Sequence, residues 1–244
     1  MIIGAVLVLA VLGGLWFWNS SRTQSNTNTN KTPTPAKTPA IPANAPRGAD
    51  PPNQSGSANA SVTVEEFADF QCPLCGETHP VISEIKSMYG SRIHLIFRNY
   101  PLPMHDKSYD AEVAAEADGM QSKFWDMQNL LFTNQKVWTA DPNYKQIWKG
   151  YAQTIGLDVP KWENDMAGIA AKGRVDADLQ RVKALNISST PSIFINGIPV
   201  QPSDMKVEPL KRLIDGELQK AVAQNQPANA SGVPPAANAG NASK

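Results

Sequence analysis

The sequence predicts an α/β protein in which a mixed β-sheet carries a helical insertion. A segment of alternating apolar and polar residues is typical of a strand and ends directly before Cys-Pro-Leu-Cys. Residues 107–185 have helical periodicity nearly throughout, and a short strand, an Asn-Gly turn and a closing helix follow them. This order of elements indicates a mixed sheet interrupted by helices.

Length, charge and cysteine content limit the classes of protein. The chain has 244 residues, which predicts one or two domains. Its 22 basic and 22 acidic side chains give a net charge of zero, so no overall field favours nucleic acid and we expect no such partner. Two cysteines exclude a disulfide-rich scaffold and a four-cysteine metal site.

The first 18 residues predict a membrane anchor. Residues 2–18 (IIGAVLVLAVLGGLWFW) have no charge and no proline, and a helix of this length spans roughly 25 Å. A cleaved signal peptide is the alternative, but its apolar region is usually shorter and ends at a small-x-small site, which this run lacks. We therefore expect residues 1–18 to remain as a single transmembrane helix.

Polar segments flank the expected domain. Residues 19–60 are rich in Asn, Thr, Pro and Ala and contain little apolar surface to bury, which predicts a disordered tether. Residues 223–244 have the same character and predict a disordered tail. The folded domain is therefore expected at residues 61–222.

The first half of this domain predicts a strand, a helix and a second strand. Residues 61–70 (SVTVEEFADF) alternate and are rich in β-branched and aromatic side chains. After the two cysteines, residues 78–90 (THPVISEIKSMYG) have apolar side chains at helical spacing and end at a glycine. Residues 92–98 (RIHLIFR) predict the second strand.

Residues 107–185 predict four helical segments separated by turn signals. A cluster of large apolar side chains within them is expected to form the core of the helical block, with a peptide-docking patch as the alternative. The cluster consists of Phe124, Trp125, Leu130, Leu131 and Phe132.

The C-terminal part predicts a hairpin and a closing helix. Residues 192–195 (SIFI) form the first strand of the hairpin, Asn196-Gly197 is a strong two-residue turn, and residues 198–200 begin the return strand. Residues 205–222 contain the closing helix.

Cys-Pro-Leu-Cys at a strand-to-helix junction is the most informative motif. Backbone N–H groups and the dipole at a helix N-terminus stabilise a thiolate and lower its pKa. The i, i+3 spacing puts Cys75 on the same face as Cys72, close enough to form a disulfide. We expect Cys72 to exchange with substrate and Cys75 to resolve the mixed disulfide.

Two other interpretations of the cysteines remain open. They could form a structural disulfide or be inert thiols, although a loop of four residues would stabilise the fold little. They could also bind zinc together with His79, in which case His94 or His105 would have to supply the fourth ligand.

Two residues outside the motif fit redox chemistry. Pro191 follows Thr190 directly before a strand, where the peptide bond could be cis, although an ordinary strand-edge proline also fits. Glu66 shares a predicted strand face with apolar residues, so we expect a raised pKa and a proton exchange with Cys75. The alternative is that Glu66 lies at the surface, and Asp69, which faces the other way, is a weaker candidate.

Four motifs in order resemble the DsbA-like thiol–disulfide oxidoreductases of the thioredoxin superfamily. They are VEEFADFQCPLC, RNYPLPMH, GMQSKFWDMQNLLF and STPSIFING, within residues 62–222. The resemblance implies a thioredoxin-like fold with an inserted helical domain, a redox pair at Cys72 and Cys75, and a cis proline at Pro191 facing the pair. It also implies that Glu66 takes the family's buried acidic position and that the Thr190 backbone pairs with extended substrate.

The sequence departs from the family between the cysteines. The best-known oxidases have His as the second residue of this pair, where this chain has Leu74. Without an imidazole the reduced form is less stabilised, so we expect a weaker oxidant. Pro73 and Leu74, together with Thr190, are the expected substrate contacts, and we assign no role to His94 or His105.

Together these features predict a membrane-tethered protein-disulfide oxidoreductase that introduces disulfides into exported proteins. Its domain is expected on the extracytoplasmic side of the cytoplasmic membrane, where disulfides persist, although the basic residues after the anchor favour the opposite topology. Its expected partners are cysteine-containing exported polypeptides and a membrane redox partner that reoxidises the pair. We expect a monomer, and no metal or organic cofactor is implied. A disulfide reductase or isomerase, and a non-catalytic client-binding module, are the alternatives.

Overall fold

The computed structural model describes residues 41–42 and 44–224, and these residues form a five-stranded sheet. The strands are β1 (Asn53–Gly56), β2 (Thr63–Ala68), β3 (His94–Asn99), β4 (Ser192–Ile195) and β5 (Ile198–Pro199). Their spatial order is β1-β3-β2-β4-β5. The central pair β2 and β3 is parallel and the other neighbouring pairs are antiparallel, so the expected mixed sheet is confirmed.

Eight α-helices lie within the described residues. They are α1 (Pro73–Tyr89), α2 (Ser108–Gly119), α3 (Phe124–Thr133), α4 (Gln135–Ala140), α5 (Tyr144–Thr154), α6 (Val159–Ala167), α7 (Ile169–Ala184) and α8 (Val207–Gln224). Short 3-10 helices cover Gly90–Arg92 and Pro202–Asp204. Helices α2 to α7 lie between β3 and β4 in the chain, which confirms the expected helical insertion.

The insertion has six helices where the sequence predicts four segments. Helix α4 lies between the second predicted segment, which ends at Asn134, and the third, where the sequence predicts no helical segment. The fourth divides at Gly168, whose extended backbone (φ −68°, ψ 174°) separates α6 from α7. Because apolar side chains continue at helical spacing across Gly168, the periodicity alone does not reveal this break.

Two apolar clusters hold the fold together. One is built from the strands, α1 and α8, and it includes Val62, Val64, Ile82, Ile85, Leu95, Ile193, Leu210 and Ile214. The other joins the sheet to the insertion and includes Phe70, Phe97, Phe124, Met127, Leu131, Phe132, Trp138, Trp148 and Trp162. Cys72 and Cys75 belong to the second cluster. Phe124, Leu131 and Phe132 of α3 are therefore core, as expected, whereas Trp125 and Leu130 of the same predicted cluster are only half-buried. The Cys-Pro-Leu-Cys motif lies where the sheet meets the insertion.

The domain begins earlier than the sequence predicts. Residues 53–56 were expected in the disordered tether, but they form β1 antiparallel to β3. The prediction was wrong because residues 53–56 (NQSG) lack the apolar alternation by which a strand is recognised in a sequence. They form a strand because their backbone pairs with the free edge of β3. The buried Asn53 Nδ2 also donates to Glu116 Oε1 at 2.7 Å, which ties this strand to α2.

The predicted anchor at residues 1–18, most of the tether, and residues 225–244 of the predicted tail lie outside the described residues. Among the helices that the structure does describe, none is long and apolar enough to cross a membrane.

Candidate active site

The Cys-Pro-Leu-Cys motif lies at the start of α1, shortly after β2 ends. Cys72 is the N-cap residue, with an extended backbone (φ −70°, ψ 121°), and Pro73 occupies the first turn. The Cys72 carbonyl accepts hydrogen bonds from the backbone N–H groups of Cys75 (3.1 Å) and Gly76 (3.2 Å). The motif therefore opens the helix, as the sequence predicts, and the helix begins at Pro73, earlier than the periodicity indicates.

The Cys72 sulfur lies among several hydrogen-bonding groups. The side chain is buried, and the sulfur is 3.7 Å from the Thr190 carbonyl oxygen. Its pKa is lowered to about 5, chiefly by a hydrogen bond from the Cys75 thiol and further by Thr190 and the backbone N–H groups of Cys75 and Leu74. Burial opposes this shift but is outweighed. Cys72 is therefore a thiolate at neutral pH.

Cys75 has the opposite character. It is fully buried, and burial raises the pKa of its thiol far above the ordinary value, with the neighbouring Cys72 adding to the shift. Both cysteines are free in this structure. A lowered thiol pKa at Cys72 beside a raised one at Cys75 makes the pair chemically asymmetric.

Thr190 and Pro191 face the pair from the loop before β4. Their peptide bond is cis, one of the two forms that the sequence allows at this position. The buried Thr190 hydroxyl has no hydrogen-bond partner within the described residues, yet it lies close enough to both sulfurs to lower their pKa. The loop therefore presents both a carbonyl and a hydroxyl to the redox pair.

Glu66 lies in the middle of β2 and is only 1% exposed. It is paired with Phe97 of β3 and with Ile193 of β4, two residues after Pro191. Burial raises the pKa of its carboxyl to about 8, so it is neutral at neutral pH. Its surface alternative is therefore wrong, whereas its proton exchange with Cys75 stays a prediction.

Asp69 has a larger structural role than the sequence indicates. Its buried carboxylate accepts from the backbone N–H of Gln71 (2.7 Å) and from the Ser108 hydroxyl. It also accepts from the Leu102 N–H (2.8 Å) and contacts His105 Nδ1 (2.7 Å). This one side chain holds the loop after β3 against the redox loop, and the pattern of residues 61–70 does not reveal it because the partners are distant in sequence.

Gln135 is a second residue that the sequence does not single out. It is the first residue of α4, and its Nε2 donates to the carbonyl oxygens of Phe70 (2.7 Å) and Cys72 (2.8 Å). The insertion therefore contacts the redox loop directly through a buried amide.

The alternative zinc set is not assembled. His94 Nε2 contacts Gln54 and His105 contacts Asp69, so neither histidine joins the cysteines. His79 Nε2 contacts Asn129. Within residues 41–42 and 44–224 no three such side chains are grouped to hold a metal ion.

The surface around Cys72 offers apolar contacts. Pro73 and Leu74 are exposed, Leu74 at 58%, and their contact with a substrate stays a prediction. Met104 is 77% exposed on the loop that Asp69 and Gln71 hold beside the redox loop.

The chain matches proteins of the thioredoxin class in sequence and in fold. The family model Thioredoxin_4, described as thioredoxin, matches residues 50–216. The structure of oxidised BdbD from Bacillus subtilis is similar over 69% of this chain and 93% of the BdbD chain, with 22% sequence identity and a TM-score of 0.61. The structure of alpha-DsbA1 from Wolbachia pipientis is similar over 72% of this chain and 94% of the alpha-DsbA1 chain, with 18% sequence identity and a TM-score of 0.60.

Curated relatives share only part of their length with this chain. The Na(+)/H(+) antiporter NhaA 1 of Mycolicibacterium gilvum is 31% identical over 145 residues, which are 58% of this chain and 23% of the relative. NhaA 3 of Salinispora tropica is 34% identical over 144 residues, which are 58% of this chain and 21% of the relative. The chain thus spans less than a quarter of these relatives.

The family match covers most of the folded part and includes both cysteines, the cis proline and the helical insertion. The fold of the solved neighbours is the one that the sequence motifs imply. The chain therefore belongs to the Thioredoxin_4 family, and its fold is similar to the folds of BdbD and alpha-DsbA1.

Proposed function

We propose that this protein transfers the Cys72–Cys75 disulfide to cysteine pairs in exported polypeptides. The observation that carries the proposal is the contrast between the two thiols: the pKa of Cys72 is lowered to about 5, whereas burial raises that of Cys75. A stabilised Cys72 thiolate favours the reduced form of the pair, and a pair whose reduced form is stable is a strong oxidant of other thiols.

The transfer begins when a client thiolate attacks the Cys72 sulfur of the oxidised pair. A bond forms between the client sulfur and Cys72 while the Cys72–Cys75 bond breaks, and Cys75 leaves with the electron pair. Because burial disfavours a thiolate at Cys75, that sulfur takes up a proton. The neutral carboxyl of Glu66 is the proposed source of this proton.

The second half of the transfer releases the client. Another client thiol loses its proton and attacks the client sulfur of the mixed disulfide, and Cys72 leaves as a thiolate. The client gains a disulfide and loses two electrons, which the cysteine pair accepts. The low pKa of Cys72 makes it the better leaving group, so the mixed disulfide resolves toward the oxidised client.

The loop at Thr190 is the proposed site for the client backbone. An extended polypeptide beside this loop would pair with the Thr190 backbone, as in strand addition, and the loop carbonyl is already 3.7 Å from the Cys72 sulfur. Pro73 and the exposed Leu74 would contact apolar client side chains. Such contacts tolerate many client sequences because they depend on backbone and apolar surface.

The cellular setting is part of the same proposal. We expect the domain to be tethered to the outer side of the cytoplasmic membrane by residues 1–18, and a membrane redox partner to reoxidise the pair. An extracytoplasmic position fits because disulfides persist in oxidising compartments.

A reduced two-cysteine peptide tests the activity of the full chain. The oxidised wild type should oxidise the peptide stoichiometrically, whereas Cys72→Ala and Cys75→Ala, neither of which can form the Cys72–Cys75 disulfide, should be inactive. The Cys72 thiolate that remains in Cys75→Ala should attack glutathione disulfide, forming a mixed disulfide and releasing one glutathione thiolate. Activity in Cys72→Ala would contradict the assignment of the attacked sulfur.

The reduction potential decides the direction. A value near about −120 mV, as in strong oxidases, would support disulfide donation. A value near about −270 mV, as in thioredoxin, would instead indicate a reductase.

A further inference from the structure

We propose that Gln135, on α4 of the insertion, is a positioning residue of the redox site, which fixes the Cys72 backbone so that the start of α1 stabilises the thiolate. The inference rests on the proposed function, since it concerns the same cysteine pair. One side chain of the helical insertion would thereby help to set the pKa of the Cys72 thiol and the reduction potential of the cysteine pair.

The first evidence is the double hydrogen bond from one amide group. Gln135 Nε2 donates to the Phe70 carbonyl at 2.7 Å and to the Cys72 carbonyl at 2.8 Å. The two carbonyls lie on either side of Gln71, so the amide holds both ends of the turn that leads into α1. Gln135 is buried, and water does not readily replace these bonds.

The second evidence is where the Cys72 carbonyl lies. It accepts the first backbone hydrogen bonds of α1, from Cys75 and Gly76, so its direction fixes the orientation of the first helical turn. The N–H groups of Leu74 and Cys75 in that turn also lower the pKa of the Cys72 thiol. A group that holds this carbonyl therefore acts on the thiolate through the donors around it.

The third evidence is the close fit between Gln135 and Gly76. A Cβ atom added to Gly76 would lie 2.7 Å from Gln135 Oε1, closer than real Cβ atoms approach an oxygen. The side-chain amide therefore lies directly against the first turn of α1 as well as against the loop before it.

Gln135 is itself held in place. The Thr139 hydroxyl donates to the Gln135 carbonyl (2.7 Å), and the Lys107 ammonium group donates to the carbonyls of Thr139 and Asp141. The Lys107 N–H in turn donates to Gln71 Oε1 at 2.8 Å. These contacts form a closed path from α4 back to the redox loop, which keeps the amide at a defined position.

Gln135→Met in the full chain tests the proposal, because it removes the amide and keeps an unbranched side chain of similar length. The pKa of the Cys72 thiol is read from the ultraviolet absorbance of the thiolate in the reduced protein. The reduction potential is read by equilibration with glutathione. We expect the thiol pKa to rise by about one unit, and the pair to become less oxidising by about 30 mV, the equivalent of a tenfold change in the equilibrium constant.

Gln121→Met is the matched control. Gln121 also makes two side-chain bonds to a backbone, since its Nε2 donates to the Asp158 carbonyl (3.1 Å) and its Oε1 accepts from the Asp158 N–H (3.0 Å). It joins two parts of the insertion and makes no bond to the redox loop. We expect Gln121→Met to change neither the thiol pKa nor the potential, even where it lowers stability.

Gln135→Glu is a graded variant that preserves the shape of the side chain. A buried carboxyl facing two carbonyls is expected to be protonated and to supply one donor instead of two. Its thiol pKa should therefore lie between those of the wild type and Gln135→Met. This variant also gives an answer if Gln135→Met does not fold.

An unchanged thiol pKa and potential in both Gln135 variants would overturn the proposal, even with reduced stability, because that result would mean a purely structural role. These readouts are made on the cysteine pair itself and need no client. A failure of the proposed function, seen as no oxidation of the peptide by the wild type, is therefore distinguishable from a failure of this inference.

Discussion

The Cys72 sulfur lies 3.7 Å from the carbonyl oxygen of Thr190, although 118 residues separate the two in sequence. The contact exists because β4 pairs with β2, so that the loop before β4 comes next to the loop after β2. The sheet thus brings the exchanging sulfur to the backbone with which an extended client is expected to pair. Under the proposed function, client binding and attack on the Cys72 sulfur would therefore occur at one place in the fold.

Thr190→Val should raise the pKa of the Cys72 thiol by about half to one unit, because it removes a hydroxyl that lies near the sulfur and keeps the side-chain shape. The Cys75 thiol remains the main cause of the low pKa, so the shift should be partial. The measurement is the pH dependence of thiolate absorbance. Thr154→Val, which alters an exposed threonine bonded only within α5, is the control, and an equal shift in both variants would contradict a role for the Thr190 hydroxyl.

Local features of the site could be predicted from the sequence. The position of Cys72 and Cys75 at a strand-to-helix junction follows from a few adjacent residues, and so does the Asn196-Gly197 turn, whose residues both have positive φ. The burial of Glu66 also follows from the period of a strand. Each of these depends on spacing along one segment, which sequence patterns report directly.

Contacts between distant polar residues could not be predicted. Glu112, Glu116, Asp118 and Asp178 look like solvated helix residues, but all four are fully buried. Their surroundings come from other segments: Arg174 pairs with Glu116 and Arg98 pairs with Asp178. A buried carboxylate is tolerated only where tertiary structure supplies donors, and no local pattern reveals those donors.

Glu66→Gln should alter the pH dependence of stability. The pKa of Glu66 is raised by burial from 4.5 to about 8, so its native state must hold a proton that the unfolded chain releases above pH 4.5. The contribution of Glu66 to stability is therefore complete below pH 4.5 and is lost progressively as the pH rises to about 8. Because Gln has no proton to lose, the variant should gain stability relative to the wild type across this range.

Urea unfolding of the reduced protein at several pH values measures this gain. The difference should reach a few kcal/mol, since each unit of pKa corresponds to about 1.4 kcal/mol. Glu77→Gln, at an exposed position of α1, is the control. Parallel stability curves for the wild type and Glu66→Gln would contradict the raised pKa. If a client thiolate attacks the oxidised pair of Glu66→Gln more slowly than that of the wild type, this would also support proton donation from Glu66 to the leaving sulfur of Cys75.

Asp69→Ala should destabilise the domain by about 3 kcal/mol or more, because four donors to its carboxylate lose their acceptor in a buried site. The change should appear in the guanidinium midpoint. Asp106→Ala is the matched control, since Asp106 lies in the same loop region and is exposed, with one side-chain bond from Gln71. A loss of less than about 1 kcal/mol for Asp69→Ala would mean that the loop is held by other contacts.

Leu74→His should make the pair more oxidising. Leu74 is 58% exposed and lies two residues after Cys72, so a histidine there can place a charged ring near the thiolate without entering the core. The thiolate already has donors from Cys75, Thr190 and the helix backbone, so the added effect should be modest, a rise in potential of about 30 mV. Leu74→Ala, which removes the side chain without adding charge, should leave the potential unchanged. The two potentials are measured by glutathione equilibration at the same pH. If Leu74→His matches Leu74→Ala, the existing donors already stabilise the thiolate fully, and an imidazole at this position does not make the pair more oxidising.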